Sequence, residues 1–258
     1  MRWCFCAILA LQFLTCDCFA TIYEKPADLD EALWERLEPY FLPEDHPIRP
    51  ILDRIFSASR VTLSGRTLKK AGFSPVKPRK VTHLIVTKHP DLPQYIFKIY
   101  SDAQRYYHGN PEYECWIERI EGAQNVRDEI SRCGWSHLFS VPEKWIYPLP
   151  PEPSPPRHCI RKNFILVETD MELLSESDNK EMWENVDCFL LESLFHMLQE
   201  LGLRDCAKID NVPFTKNGRV AFVDTQTHHT WPIRFKSLLS SLSKESRKVW
   251  KALISDSK

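Results

Sequence analysis

Glycine is so sparse in this chain that whole classes of phosphate-binding fold are closed to it. Seven glycines occur in 258 residues, at Gly65, Gly72, Gly109, Gly122, Gly134, Gly202 and Gly218, and no two stand closer than seven positions. The dinucleotide fingerprint G-x-G-x-x-G and the P-loop G-x-x-x-x-G-K-[ST] need glycines only a few positions apart, so that backbone can wrap a phosphate. Neither is present, and neither is the G-x-S-x-G elbow of an α/β-hydrolase. A Rossmann dinucleotide site and a Walker nucleotidase are therefore excluded. The charge balance is 34 Lys+Arg against 35 Asp+Glu, a formal net charge of −1. That balance excludes a broad electrostatic grip on nucleic acid or on an anionic membrane. Partners must be chosen by a local site on a globular chain.

The first twenty residues differ from the rest. Arg2 is the only early charge, Trp3 to Leu14 is apolar except for Gln12, and Cys18-Phe19-Ala20 is a small-x-small ending. This pattern predicts a signal peptide over 1–20, cleaved near Ala20, and export of the mature chain. The apolar stretch is short for a span of about 20 residues, so no stable membrane span is expected after cleavage. An uncleaved N-terminus acting as an anchor, or a buried N-terminal helix, are the alternatives. Five cysteines remain, Cys115, Cys133, Cys159, Cys188 and Cys206, without C-x-x-C spacing. No zinc knuckle or redox motif follows from that spacing, and buried free thiols are the default.

Residues 21–74 read as a helical extension. Leu29, Ala32, Leu33, Leu37 and Tyr40 recur at helical spacing, as do Ile48, Ile51, Leu52, Ile55 and Phe56, and Pro43, Pro47 and Pro50 separate the two helices. Val81 to His89 and Gln94 to Tyr100 are rich in β-branched and aromatic residues and flank Pro90-Asp-Leu-Pro93, which predicts an antiparallel hairpin. Alternation puts Ile96, Lys98 and Tyr100 on one face of the second strand and Tyr95, Phe97 and Ile99 on the other. Lys98 is thus a charge inside an otherwise apolar strand. Asn110-Pro111-Glu112 predicts a helix start, with Asn110 as cap, running to about Arg132 with Trp116, Ile120, Ala123, Arg127 and Ile130 on one stripe. Pro148 to Pro156 holds six prolines and reads as an extended loop. Asn163 to Glu168 reads as a buried strand, and Trp183 to Leu203 as one long buried helix ending at Gly202.

After that helix comes the segment with most chemistry. Val212 to Thr215 and Arg219 to Val223 flank a Lys216-Asn217-Gly218 turn, with Asp205 upstream, Asn211 at the hairpin's entrance and Asp224 at its exit. A tight hairpin brings its two open ends together, so Asn211 and Asp224 offer neighbouring hard oxygens suited to Mg²⁺. Asp205 is placed to accept a proton from an attacking hydroxyl.

Residues 203–225 resemble the catalytic loop and metal-binding segment of the protein-kinase-like superfamily, in which a long helix leads to an R-D dipeptide, an Asn, a β-hairpin and an Asp. The interval of thirteen from Asn211 to Asp224 is the family's usual one. Tyr95-Ile-Phe-Lys98-Ile is similar to the strand whose lysine holds nucleotide phosphates. The resemblance implies an α+β fold: a kinase-like core over 75–258, made of a small antiparallel sheet and a helical lobe, with a proline-rich loop at 148–156 and extra N-terminal helices. It implies Lys98 as the phosphate lysine, Asp205 as catalytic base, and Asn211 and Asp224 as magnesium ligands, with ATP and Mg²⁺ as cofactors. The helix from Asn110 would supply the glutamate that pairs with Lys98, and Glu118 and Glu112 are both candidates. Glu118 has the family spacing but lies roughly opposite the apolar stripe, whereas Glu112 lies on it and also suits the helix dipole.

Three departures accompany the resemblance. Asp205 to Asn211 is one residue longer than in the family, Asp224-Thr225-Gln226 stands in place of D-F-G, and no glycine-rich loop precedes Lys98. The expected function is Mg-nucleotide binding with phosphotransfer to a protein or small-molecule acceptor. The alternative, from another class, is a noncatalytic, pseudokinase-type secreted interaction protein. Nucleic acid is not an expected partner.

Overall fold

The alternation in the strand that carries Lys98 organises the molecule, because both faces of the sheet are covered. In the computed structural model, residues 23–76, 84–104 and 109–256 are described. The expected signal peptide and residues 81–83 of the first expected strand lie outside them. The fold is α+β. A five-stranded antiparallel sheet has the order β1-β2-β3-β6-β5, made of β1 (Ser74–Pro75), β2 (Leu84–His89), β3 (Leu92–Tyr100), β5 (Lys144–Pro148) and β6 (Phe164–Thr169). A two-stranded parallel pair joins β4 (Phe139–Ser140) to β7 (Val220–Ala221).

On one face, Phe97, Ile99, Ile165 and Val167 pack against Leu52 and Phe56 of α2 (Arg49–Ala58) and Leu68 of α3 (Gly65–Lys70). The N-terminal helices are thus the cover of the sheet. A helix absent from the periodicity argument, α3, is held by a capping box in which Ser64 and Thr67 satisfy each other's backbone. The short α1 (Glu31–Leu37) sends Trp34 and Leu37 to the other face, where Tyr100, Phe164 and Leu166 meet α4 (Glu112–Cys133). There Trp116 stacks on Tyr100, with ring centroids 5.0 Å apart. The buried side of α4 is broader than the expected stripe and includes Arg119 and Glu129. Its N-cap is Pro111 rather than Asn110, and no side chain caps it.

The edges of the sheet are short or covered. At one, β1 has only two residues, one of them Pro75; at the other, Phe41 bridges Ile146 of β5, and Leu42 N–H donates to the Ile146 carbonyl at 2.8 Å.

A third core lies among α5 (Glu176–Glu184), α6 (Cys188–Leu201) and α7 (Lys244–Asp256), with Trp183, Leu194, Leu198 and Trp250 buried. The single helix expected over Trp183 to Leu203 is two helices. Asn185 turns its amide back onto the Glu181 carbonyl, and the Asp187 carboxylate accepts from Leu190 N–H at 2.7 Å, capping the second helix. Such local side-chain bonds compete with continuous helix. α6 ends at Gly202, whose φ of +61° and approach to the backbone of His229 and Thr230 both favour glycine. Among the described residues, no helix is long and apolar enough to cross a membrane, and all five cysteines are free thiols.

In the middle of α4, at Gly122, the helix comes close to the segment after the hairpin. A Cβ there would lie 2.1 Å from the Thr225 carbonyl oxygen and 3.0 Å from Thr225 Cβ. Gly122→Ala should therefore destabilise the protein by about 1–3 kcal/mol through overpacking, against the gain of ~1 kcal/mol that alanine normally gives in a helix. Gly65→Ala, which meets nothing within 4 Å, should be neutral or stabilising. Urea unfolding of the two variants checks the contrast, and equal effects would refute the role of the Gly122 contact.

Candidate functional site

Strand parity collects charge on the α4 face of the sheet. Lys98 pairs in register with Leu166, Ile96 with Glu168, and Glu168 with Lys144. Lys98, Glu168 and Lys144 therefore point the same way, between apolar neighbours, and all three are buried. Lys98 Nζ lies 3.1 Å from Glu168 Oε1, and Lys144 Nζ lies 3.9 Å from Glu168 Oε2.

The hairpin after α6 comes up against these groups. It forms as expected: Thr215 N–H donates to Arg219 O, Ala221 N–H to Pro213 O and Val223 N–H to Asn211 O, the last at 3.1 Å. Lys98 Nζ donates to the Val223 carbonyl at 2.9 Å, and Lys144 Nζ donates to Thr225 Oγ1 at 3.1 Å. From α4, Arg119 makes an ion pair with Asp224, and Thr225 Oγ1 donates to the Arg119 carbonyl at 2.7 Å. Three cations and two carboxylates thus form one network, and the Asp224 side chain, 37% exposed, is its opening to solvent. Beneath it, the buried Cys206 thiol donates to the Asp224 carbonyl. Burial and the Asp224 charge push that thiol up, which leaves it a neutral donor.

Lys98 Nζ bonds the carbonyl of Val223, the residue before Asp224, Val223 N–H bonds the Asn211 carbonyl, and Asn211 Nδ2 donates to the Asp205 carbonyl at 2.9 Å. The Asp205 carboxylate is engaged by Arg234 at 2.7 Å and by Lys208 at 3.6 Å. The two glutamates expected against Lys98 are elsewhere. Glu118 is exposed and accepts from Gln226 Nε2, consistent with its position off the apolar stripe. Glu112 is buried at the start of α4 and accepts from Asn163 N–H at 2.7 Å. The carboxylate paired with Lys98 is Glu168, because an antiparallel neighbour two strand positions away presents its side chain on the same face.

No family model matches the sequence, and no curated protein matches it.

The electrostatics follow from the packing. Burial pushes the Asp224 carboxyl up, but Arg119, Lys98 and Lys144 together outweigh it and hold the group at about 2. Burial, reinforced by the Lys98 charge, brings Lys144 down to about 7 against the pull of Glu168. Glu168, Lys144 and Arg119 were not identified from sequence. The available signal was a charge at the end of an apolar strand, as at Lys144 and Glu168, but pairing register is not written in either strand alone.

Glu112 gives a pH test of this packing. Burial raises its carboxyl from 4.5 to about 7, only partly offset by the N–H groups of Glu112 and Asn163 and by the Lys162 charge. Because its folded pKa lies above its unfolded one, its stabilising contribution is complete below about 4.5 and is lost as pH rises through about 7. Between pH 4.5 and 8 the protein should lose stability relative to Glu112→Gln by on the order of 2–3 kcal/mol. Denaturant midpoints of both proteins across that range check it, and parallel pH profiles would refute it.

Proposed function

We propose that residues 75–258 form a protein-kinase-like core whose cleft binds a Mg-nucleotide through Lys98, Asn211 and Asp224. One observation carries the reading: Lys98 of β3 donates at 2.9 Å to the carbonyl of Val223, the residue before Asp224. Two positions singled out for phosphate and metal chemistry, far apart in the chain, are thereby adjacent. The order of elements supports it as well, with sheet strands, α4, further sheet strands, the buried α6 and the hairpin in sequence.

The donor chemistry fits the cofactors. The amide oxygen of Asn211 and the carboxylate of Asp224 are hard oxygen ligands of the kind magnesium takes. Lys98 and Arg119 balance Glu168 and Asp224, and Lys144, brought down to about 7, becomes a third cation when an anion arrives, which suits a polyphosphate entering at the open side of the network. When bound, the metal neutralises phosphate charge. Lys98 and Lys144 would hold phosphate oxygens, and Asp205 would orient an acceptor hydroxyl on a protein or small molecule. The apolar segment at the N-terminus supports delivery of the chain outside the cytosol, by a cleaved signal or by an uncleaved anchor.

A noncatalytic, pseudokinase-type interaction role is favoured by a different observation. Both carboxylates that the chemistry needs already carry arginine partners, Arg119 on Asp224 and Arg234 on Asp205. An occupied base is a weak proton acceptor, and an occupied ligand must exchange a partner to take a metal.

Thermal unfolding of the purified protein with ATP, with and without Mg²⁺, separates the readings. Ligand at 100 times Kd adds about 2.7 kcal/mol, which at about 2–4 °C per kcal/mol raises Tm by roughly 5–10 °C. The rise should depend on Mg²⁺ and disappear in Lys98→Ala and Asp224→Ala. If wild type shows no rise, nucleotide binding fails, and a rise that persists in both variants refutes the residue assignment. Where the rise is present, ATP turnover that Asp205→Ala abolishes marks an enzyme, and no turnover marks the interaction protein.

A further inference from the structure

Well away from the cleft, α4 and α6 bring together three side chains of different donor chemistry that none of the preceding roles uses. Glu129 Oε1, Cys133 Sγ and His196 Nε2 all lie within 4.8 Å of one another. Glu129 and Cys133 are one turn apart on α4, about 15 Å along the helix from Arg119, and His196 faces them from α6. The separations are 2.8 Å between Glu129 Oε1 and His196 Nε2, 3.4 Å between Cys133 Sγ and Glu129 Oε1, and 4.0 Å between Cys133 Sγ and His196 Nε2.

We propose that Glu129, Cys133 and His196 form a zinc site that clamps the C-terminal end of α4 to α6, with Glu200 or water as fourth ligand. Bonds of about 2.0–2.3 Å in a tetrahedron place ligand atoms about 3.2–3.6 Å apart; the Cys133–Glu129 separation of 3.4 Å falls in that range, and the 2.8 Å and 4.0 Å separations lie about 0.4 Å to either side of it. One thiolate, one imidazole and one carboxylate suit zinc, whereas magnesium and calcium take oxygen alone. Glu200 stands one turn beyond His196 on α6, exposed, and its charge acts on both Cys133 and Arg132. The ring of His196 is steadied by Trp135, which meets it edge-on at 5.3 Å.

A side-chain cation stands against two of the three donors. Arg132 donates to both oxygens of Glu129, at 2.7 and 2.5 Å, and its terminal nitrogen lies 3.3 Å from His196 Nε2. The Arg132 side chain is 61% exposed, so it can leave for solvent while Glu129, 7% exposed, stays fixed. The Arg132 bond, against a smaller effect of burial, holds the Glu129 carboxyl at about 2, so this ligand is already ionised. Burial and the Glu129 bond push the Cys133 thiol up; a bound zinc reverses that and releases the proton.

Cobalt(II) and zinc(II), titrated alone into the reduced full-length protein, test the proposal. One equivalent of cobalt should produce a thiolate-to-metal charge-transfer band and the visible bands of a tetrahedral ion, and zinc should abolish both. Cys133→Ser should lose the charge-transfer band, His196→Gln should lose the tetrahedral bands, and Arg132→Gln should tighten binding because the competing cation is gone. Absence of a charge-transfer band in the wild type would overturn the site, and so would a band that survives in Cys133→Ser. The wild-type titration is decisive even if a variant fails to fold. A nucleotide-induced thermal shift, present or absent, leaves this result untouched.

Discussion

The fold depends on how near α4 can come to the segment that follows the hairpin. At Gly122 the helix has no side chain, and the carbonyl of Thr225 occupies the space one would need. That approach lets the Thr225 hydroxyl reach the Arg119 carbonyl and puts the Arg119 guanidinium on Asp224. A helix that packs on the sheet through Trp116 and on α6 through its later turns is thereby tied to the loop leaving the helical half. If α4 were displaced outward by the width of a methyl group, the sheet's charged face would lose its counterpart.

That charged face imposes its own constraint. Lys98, Lys144, Glu168 and Arg119 are each nearly inaccessible to water, and unpaired charges in that setting are strongly destabilising. The two lysines share Glu168, both reach the Val223 carbonyl, Lys144 also bonds Thr225, and Arg119 is paired with Asp224. The network is accordingly cooperative, and removing one member strands its neighbours.

Much of this was legible in the sequence where a periodic signal existed. The parity of Ile96, Lys98 and Tyr100 against Phe97 and Ile99 matches the two packed faces, and the turn residues Lys216-Asn217-Gly218 mark the hairpin that joins Asn211 to Asp224. What was not legible depended on pairing between distant segments. Glu168 reaches Lys98 only because β6 lies beside β3 in one register, and Lys144 joins them only because β5 lies beside β6. The break between α5 and α6 was hidden for another reason: Val186 continues the apolar period, while Asn185 and Asp187 divert the backbone through their own hydrogen bonds. Arg119 was obscured by its neighbour Glu118, since the helix face that matters was set by the approach at Gly122 rather than by hydrophobic periodicity.

The covered edges of the sheet limit how this protein can be met by another. A partner that adds a strand needs an extended row of free N–H and C=O groups. Here β1 presents two residues with Pro75 among them, and Phe41 with Leu42 already occupies β5 at Ile146. Backbone templating is thus blunted at the described edges, which also guards the chain against edge-to-edge aggregation. Contact with another chain is thus left to side chains rather than to backbone at those edges.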